Sequence, residues 1–179
     1  MNYFSGSRFI IYNCHFDLPG WSEIEKNLTE KGVSLSGFSR PKIYSKLIKE
    51  IHKRKYKNLF IEEDIMRSCG ASREFSGLIE NFKNFETYPS GSNLVPARNE
   101  FAAGIDIAEE ISGRIKECPG KSAVVTDSDM TAEGIACRFL ENRISIPEKA
   151  GITGFDDLET APYFKVLLTS IKVPVESMP

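Results

Sequence analysis

The chain has 179 residues, 41% hydrophobic and 27% charged, with 23 Lys plus Arg against 25 Asp plus Glu and a formal charge of −2. That size and balance describe one folded domain and exclude a largely disordered chain. No window reaches the ~20 apolar residues of a membrane-spanning helix. Met1-Asn2-Tyr3-Phe4-Ser5-Gly6 lacks the basic flank and long apolar run of a signal peptide, so a cytoplasmic protein without membrane contact is expected.

Short apolar runs alternate with longer amphipathic stretches. Phe9 to Tyr12 reads as a buried strand, and Ser22 to Lys31 as a helix capped by Ser22, with Glu25 in the capping-box position and Gly32 just past its end. Val33 to Gly37 is a weak strand. Pro41 opens a helix, where its missing N–H costs nothing, and Ile43, Leu47, Ile48 and Ile51 follow at helical spacing. Asn58 to Ile61 reads as a strand and Ser72 to Phe82 as a helix with Phe75, Leu78, Ile79 and Phe82 on one face. Tyr88 to Pro96 concentrates turn-formers and is expected to be a long loop before a helix from Ala97 to about Lys116. The clearest unit follows: strand Ala123 to Val125, helix Met130 to Asn142, strand Gly151 to Thr153. A last strand is expected at Val166 to Leu168. Repeated strand–helix–strand steps predict an α/β fold with a doubly wound parallel sheet.

Cys14, Cys69, Cys118 and Cys137 contain no CxxC pair, and only His15 and His52 could join them as soft ligands, so neither a metal nor a cofactor is expected. A domain of this size needs no disulfides, and the thiols are expected to be reduced. Lys46, Lys49, Lys53, Arg54, Lys55 and Lys57 form a basic run that admits a nucleic-acid reading. Their place near a helix C-terminus, where cations complement the dipole, favours a solvated helix face, and Glu50, Glu62, Glu63 and Asp64 dilute the field.

Asp127-Ser128-Asp129-Met130-Thr131 follows a buried strand and opens a helix, and Asp156-Asp157 follows the next strand. Ligands of open α/β sheets bind beyond the carboxyl ends of the strands. If those strands are neighbours, both acidic loops share one edge, where their acceptors suit polyol hydroxyls or a divalent cation. Helix capping by Ser128 or Asp129 explains one acid but not both loops.

Two families resemble this region. Ala123 to Thr131 resembles the strand-then-DxDxT nucleophile motif of haloacid-dehalogenase-type phosphatases, which would make Asp127 a nucleophile and Asp129 an acid/base beside magnesium. Most of the chain lies upstream of Asp127, however, whereas that family places its other motifs mostly downstream. The longer likeness, from Lys121 to Met178, is to the effector-binding domain of the lactose-repressor/galactose-repressor family of transcription regulators. Ser128-Asp129 with Ala132 and Gly134 resembles that family's A-N-D-x-x-A-x-G. Ile146-Pro147-Glu148 leads through Ile152 to Gly154-Phe155-Asp156-Asp157, similar to its G-(F/Y)-D-(D/N). Leu168 to Pro174 resembles its closing L-T-(T/S)-(I/V)-x-x-P. Weaker echoes are Leu47 to Ile61, Ser72 to Phe75, Phe101 to Glu110 and Phe9 to Tyr12.

The resemblance implies a periplasmic-binding-protein-like, non-enzymatic sensor that binds a small molecule, a sugar or nucleobase-like effector, and modulates DNA binding by a separate helix-turn-helix head. Such sensing is a population shift driven by differential affinity for two states. It implies Asp156 as a ligand contact, Ser128 at the ligand-facing Asn position, and Asp129 as the accompanying acid and helix cap. Arg73 is implied as a ligand-facing cation, one residue out of the family's spacing, and Tyr88 as an aromatic platform. It also implies a homodimer, with Ile135 and Phe139 at the two-fold contact. Ser128 departs from the family's Asn, and the Asp before the crossover helix is replaced within Gly37-Phe38-Ser39-Arg40-Pro41. The head and the first strand–helix units of the N-terminal lobe have no counterpart. Residues 1–46 are therefore expected to be a remnant of that lobe and the crossover, and residues 47–179 the C-terminal lobe, in a fragment of a longer regulator.

Overall fold

A computed structural model describes residues 9–15, 21–89, 99–166 and 168–172. The elements in chain order are β1 (Phe9–His15), α1 (Trp21–Glu30), β2 (Val33–Phe38), α2 (Arg40–Lys53), β3 (Asn58–Glu62), α3 (Glu63–Cys69), α4 (Arg73–Ile79), β4 (Asn84–Tyr88), α5 (Glu100–Glu117), β5 (Ser122–Val125), α6 (Asp129–Glu141), β6 (Ala150–Phe155) and β7 (Thr169–Ile171), with a 3-10 turn at Ala161–Tyr163. β1 and β2 form a parallel pair, and the other five strands form a parallel sheet in the order β4-β3-β5-β6-β7. The expected doubly wound α/β architecture is present.

The sheet order follows from the connections. After β3 the chain steps one way to β4 through α3 and α4, then returns past β3 to β5 through α5, and continues to β6 through α6. A right-handed crossover places helices on opposite faces when the direction of travel reverses. One core accordingly combines Ile107, Ile111 and Ile115 of α5 and Ile135, Ala136 and Phe139 of α6 with Phe60, Val124 and Ile152 of the sheet. The other combines Tyr44, Ile48 and Ile51 of α2, Ile65 of α3 and Phe75 and Ile79 of α4 with Leu59, Ile61, Ala123 and Val125. In register, Phe60 sits beside Val124 and Val124 beside Ile152, so alternate residues feed alternate faces.

Local chemistry sets the helix starts. Ser39, Ser72, Asn99 and Ser128 each accept a backbone N–H two or three residues ahead, from Lys42, Phe75, Ala102 and Met130. Pro41 lies in the first turn of α2 as expected. Several expectations need correction. α1 begins at Trp21, so Ser22 lies inside the helix and not at the position before it. α3 was not expected: it is a single seven-residue helix with only Ile65 and Cys69 buried, too short to show a period. β4 was not expected either, because Asn84-Phe85-Glu86-Thr87-Tyr88 is a polar edge strand. The last strand is Thr169–Ile171, since Val166 and Leu168 pack on the core edge while Thr169 pairs with Thr153. Most of the expected loop, residues 90–98, and the end of the closing motif, residues 173–179, lie outside the described residues.

Ile135 and Phe139, expected at a dimer contact, are both 0% exposed within this chain's own core. α5 and α6 reach them because two glycines let the backbones touch. A Cβ on Gly134 would lie 2.1 Å from the Phe101 carbonyl oxygen, and one on Gly104 would lie 2.2 Å from that of Thr131. The basic run, by contrast, is a solvated helix end: Lys49 pairs with Glu74, and Lys53 and Arg54 with Glu50. Cys69, Cys118 and Cys137 are thiols outside any disulfide.

Gly134→Ala must push the two helices apart and is expected to cost about 2–3 kcal/mol. Gly113→Ala, in the same α5 with open space around it, should gain about 0.5–1 kcal/mol from helix propensity. Urea midpoints of the two variants, moving in opposite directions, check the pair.

Candidate functional site: an acidic crevice at the switch point

The strand order reverses between β3 and β5, which opens a crevice at their carboxyl ends. Glu62 ends β3 and Asp127 follows β5, and the Asp127 N–H donates to Glu62 Oε2 at 2.8 Å. The Asp127 carboxylate is held by α2: Arg40 Nη2 approaches Oδ1 at 2.5 Å, and the Tyr44 hydroxyl donates to the same oxygen at 2.6 Å. Arg40 and Tyr44 lie one helical turn apart, so both reach the β5–α6 loop from one face. The guanidinium also lies 5.5 Å from the Tyr44 ring centre and 5.6 Å from that of Phe155, and the Tyr44 and Phe155 rings stack at 5.8 Å.

Burial works against the Arg40 charge, but its hydrogen bond to Asp127 and the pull of that carboxylate outweigh it and hold the guanidinium above its ordinary pKa. Burial, then the Asp127 charge, pushes the Tyr44 phenol well above its usual range, so Tyr44 stays a donor.

The second acidic loop joins this cluster because β5 and β6 are neighbours, as expected. Asp156 and Asp157 have φ of 96° and 52°, in the left-handed region that Asp tolerates better than most residues. β7 fixes them there: the Asp156 N–H donates to the Ile171 carbonyl and the Asp157 N–H to Ser170 Oγ, both at 3.0 Å. The Asp156 side chain is exposed at the crevice. Partial desolvation, followed by Asp129, Asp127 and Glu100, raises its pKa, and Arg40 opposes the shift.

Ser128 takes the capping role expected of Asp129, and Asp129 is buried beneath the crevice. Ser128 is the N-cap of α6 and also hydrogen-bonds to Glu100 in the first turn of α5, leaving it 9% exposed. Asp129 is fully buried. Its Oδ2 accepts the Leu158 N–H at 2.9 Å, while Oδ1 has no partner and lies where a Cβ of Gly154 would be, 2.1 Å away. The glycine that opens Gly154-Phe155-Asp156-Asp157 is thus the floor on which Asp129 rests.

Tyr88, expected as an aromatic platform, is a core residue instead: it is 0% exposed and its hydroxyl donates to the Val125 carbonyl at 2.6 Å. Arg73 is exposed in the first turn of α4, on an element packed against α2. Sequence reasoning missed Arg40, Tyr44, Glu62 and Glu100 as site residues. The one available signal was a cation beside Pro41, at the start of a helix that follows a strand. Among the described residues no cluster of His, Cys, Asp and Glu suited to a metal ion occurs, and no helix is long and apolar enough to cross a membrane.

Two measurements check these electrostatics. Asp127 retains solvent contact, so Arg40→Met should cost only about 1–2 kcal/mol. A double-mutant cycle with Asp127→Asn should return a coupling of about 1 kcal/mol. Because the folded state raises the Asp156 pKa, ionisation of that carboxyl disfavours folding above its unfolded pKa, and the penalty disappears as pH falls through both values. Asp156→Asn should therefore raise Tm near pH 7, and the gain should fade towards pH 4 in melts run across that range.

A family model described as the periplasmic binding protein-like domain matches residues 78–178. Over 57 residues, 32% of this chain, the sequence is 39% identical to the HTH-type transcriptional regulator AscG of Escherichia coli (strain K12), of which the match covers 17%. A LacI family transcriptional regulator from Lactobacillus casei, solved with bound glucose, superposes with a TM-score of 0.65 at 16% identity, over 94% of this chain and 58% of that one. With bound sucrose the corresponding values are 0.63, 15%, 94% and 57%. This chain therefore spans little more than half the length of that regulator. These relatives are regulators rather than enzymes, and nothing in the likenesses supports the phosphatase reading of Asp127 and Asp129. The chain belongs to the periplasmic binding protein-like domain family, and the resemblance that its motifs carry to the lactose-repressor/galactose-repressor regulators is borne out.

Proposed function

We propose that this chain is the ligand-sensing part of a cytoplasmic transcription regulator and that it binds a sugar at the switch-point crevice. The observation that carries the reading is the meeting of the two acidic loops with Arg40 beside Phe155 at the carboxyl ends of β3, β5 and β6. Carboxylate oxygens accept sugar hydroxyls, and a guanidinium donates to ring or hydroxyl oxygens. The glucose- and sucrose-bound structures of the L. casei regulator support a sugar over a nucleobase-like effector.

In this reading Asp156 is the principal ligand contact, with Arg73 a peripheral one; Ser128 and Asp129 shape the crevice floor. Residues 1–46 are the remnant of the second lobe and crossover, and residues 47–179 the sensing lobe, with α2 straddling the division because Tyr44 is buried in the larger sheet's core. DNA is contacted by a separate head, and the whole regulator works as a homodimer through a surface other than Ile135 and Phe139. Ligand acts by favouring one arrangement of the lobes over another.

Calorimetric titration with monosaccharides, disaccharides and nucleosides tests the reading. At least one sugar should bind saturably, and Asp156→Ala should weaken it tenfold or more, the loss of one or two charge-assisted hydrogen bonds. A sugar bound equally well by Asp156→Ala would remove the site assignment, and a response to nucleosides alone would replace the ligand class.

A further inference from the structure

A cavity of about 710 Å³ lies away from the acidic crevice, near the amino ends of the strands. Its walls come from the C-terminal half of α2 (Leu47, Ile51), from Ala123 and Gly151 of the sheet, and from Val166 and Leu168 before β7. Its lining joins Leu47, Ile51 and Ala123 of the α2-side core to Ile152, Val166 and Leu168, which pack with the other core, so it lies where the two faces meet beside β6 and β7. The volume falls within the range of small-molecule sites, which combine an apolar lining with a few placed polar groups.

Two polar features mark it as a binding site. Thr153 is a lining residue, only 6% exposed, and its hydroxyl is buried without a hydrogen-bond partner. Leaving such a group unsatisfied is costly, so a ligand atom that met it would recover that loss. The rim is cationic. Arg54 and Lys53 neutralise Glu50, which leaves Lys121 and Lys165. Among the described residues neither lysine pairs with a carboxylate. Lys121 Nζ stands 5.7 Å over the Tyr56 ring, and the phenol end of that ring abuts Gly151, its hydroxyl 2.3 Å from where a Cβ would be. Lys165 is anchored by its backbone N–H, which donates to Glu133 Oε1 at 3.1 Å.

We propose that this cavity is a second ligand site, separate from the effector crevice, for a small anionic amphiphile: an apolar or aromatic body seated between α2 and β6, with a carboxylate, sulfonate or phosphate at Lys121 and Lys165. Charge complementarity selects this occupant. A neutral apolar molecule would leave both lysines and the Thr153 hydroxyl unused, and a cation would be repelled.

The test uses 8-anilinonaphthalene-1-sulfonate as the probe, followed by fluorescence. Saturable one-to-one binding is expected with near-ultraviolet circular dichroism unchanged, displaced by octanoate and not by octylamine. The doubly substituted Lys121→Glu/Lys165→Glu, two exposed positions that leave the core intact, should weaken binding at least tenfold, and Thr153→Val severalfold. Undiminished affinity in the lysine double variant, or equal displacement by octylamine, would overturn the proposal. So would binding that is lost in step with self-association in sedimentation equilibrium, which would make a second copy the occupant.

Discussion

The placement of α6 depends on backbone contact with α5, and much of the crevice depends on α6. Gly104 and Gly134 remove the side chains that would hold the two helices a normal distance apart, so each backbone passes against a carbonyl of the other. That proximity seals Ile135 and Phe139 into the core and brings Glu100, at the start of α5, to Ser128, at the start of α6. It also sets how deeply the first residue of α6 is driven. Asp129 ends fully buried beneath β6, in the space that Gly154 leaves. Three glycines on three elements therefore set the level of the crevice floor, and the acidic groups above take their positions from it.

Above that floor the electrostatics are unbalanced by design of position rather than by composition. The chain is nearly neutral overall, yet Glu62, Glu100, Asp127, Asp129 and Asp156 gather at one end of the sheet. Arg40 is set among them, and it spends its charge on Asp127. Asp127 is the ion-paired acid and Asp156 the exposed one whose ionised form its neighbours disfavour. A group whose ionised form is disfavoured by its neighbours gains most when hydroxyl donors arrive, because those donors compensate the repulsion that the protein alone does not.

The α/β class, the parallel sheet and the β5–α6–β6 unit were legible in the sequence because both sheet faces are buried, which leaves apolar strands, and because the helices are long enough to show a period. The family was legible in three motifs near the C-terminus. What escaped had physical reasons. β4 carries alternating polar residues as an edge strand, α3 is shorter than two helical turns, and β7 is defined by pairing to β6 rather than by its own apolar residues. At the site, the closeness of the two acidic loops was foreseen from the neighbouring strands, but the cap proved to be Ser128 and not Asp129. Capping is decided by which side chain turns back to the helix, and that in turn depended on the space above Gly154. Arg40 and Tyr44 were invisible because their partner, Asp127, lies far along the chain and meets them only through the fold.

The contact between Asp129 and Gly154 ties together two positions on different elements. A carboxylate fills the space a methyl group would need, so neither residue can change alone without either a collision or an empty buried pocket. Across natural relatives of this domain the two positions should drift as a pair: a larger residue at 154 accompanied by a smaller one at 129, with the loop at Leu158 losing its hydrogen-bond acceptor whenever the exchange occurs.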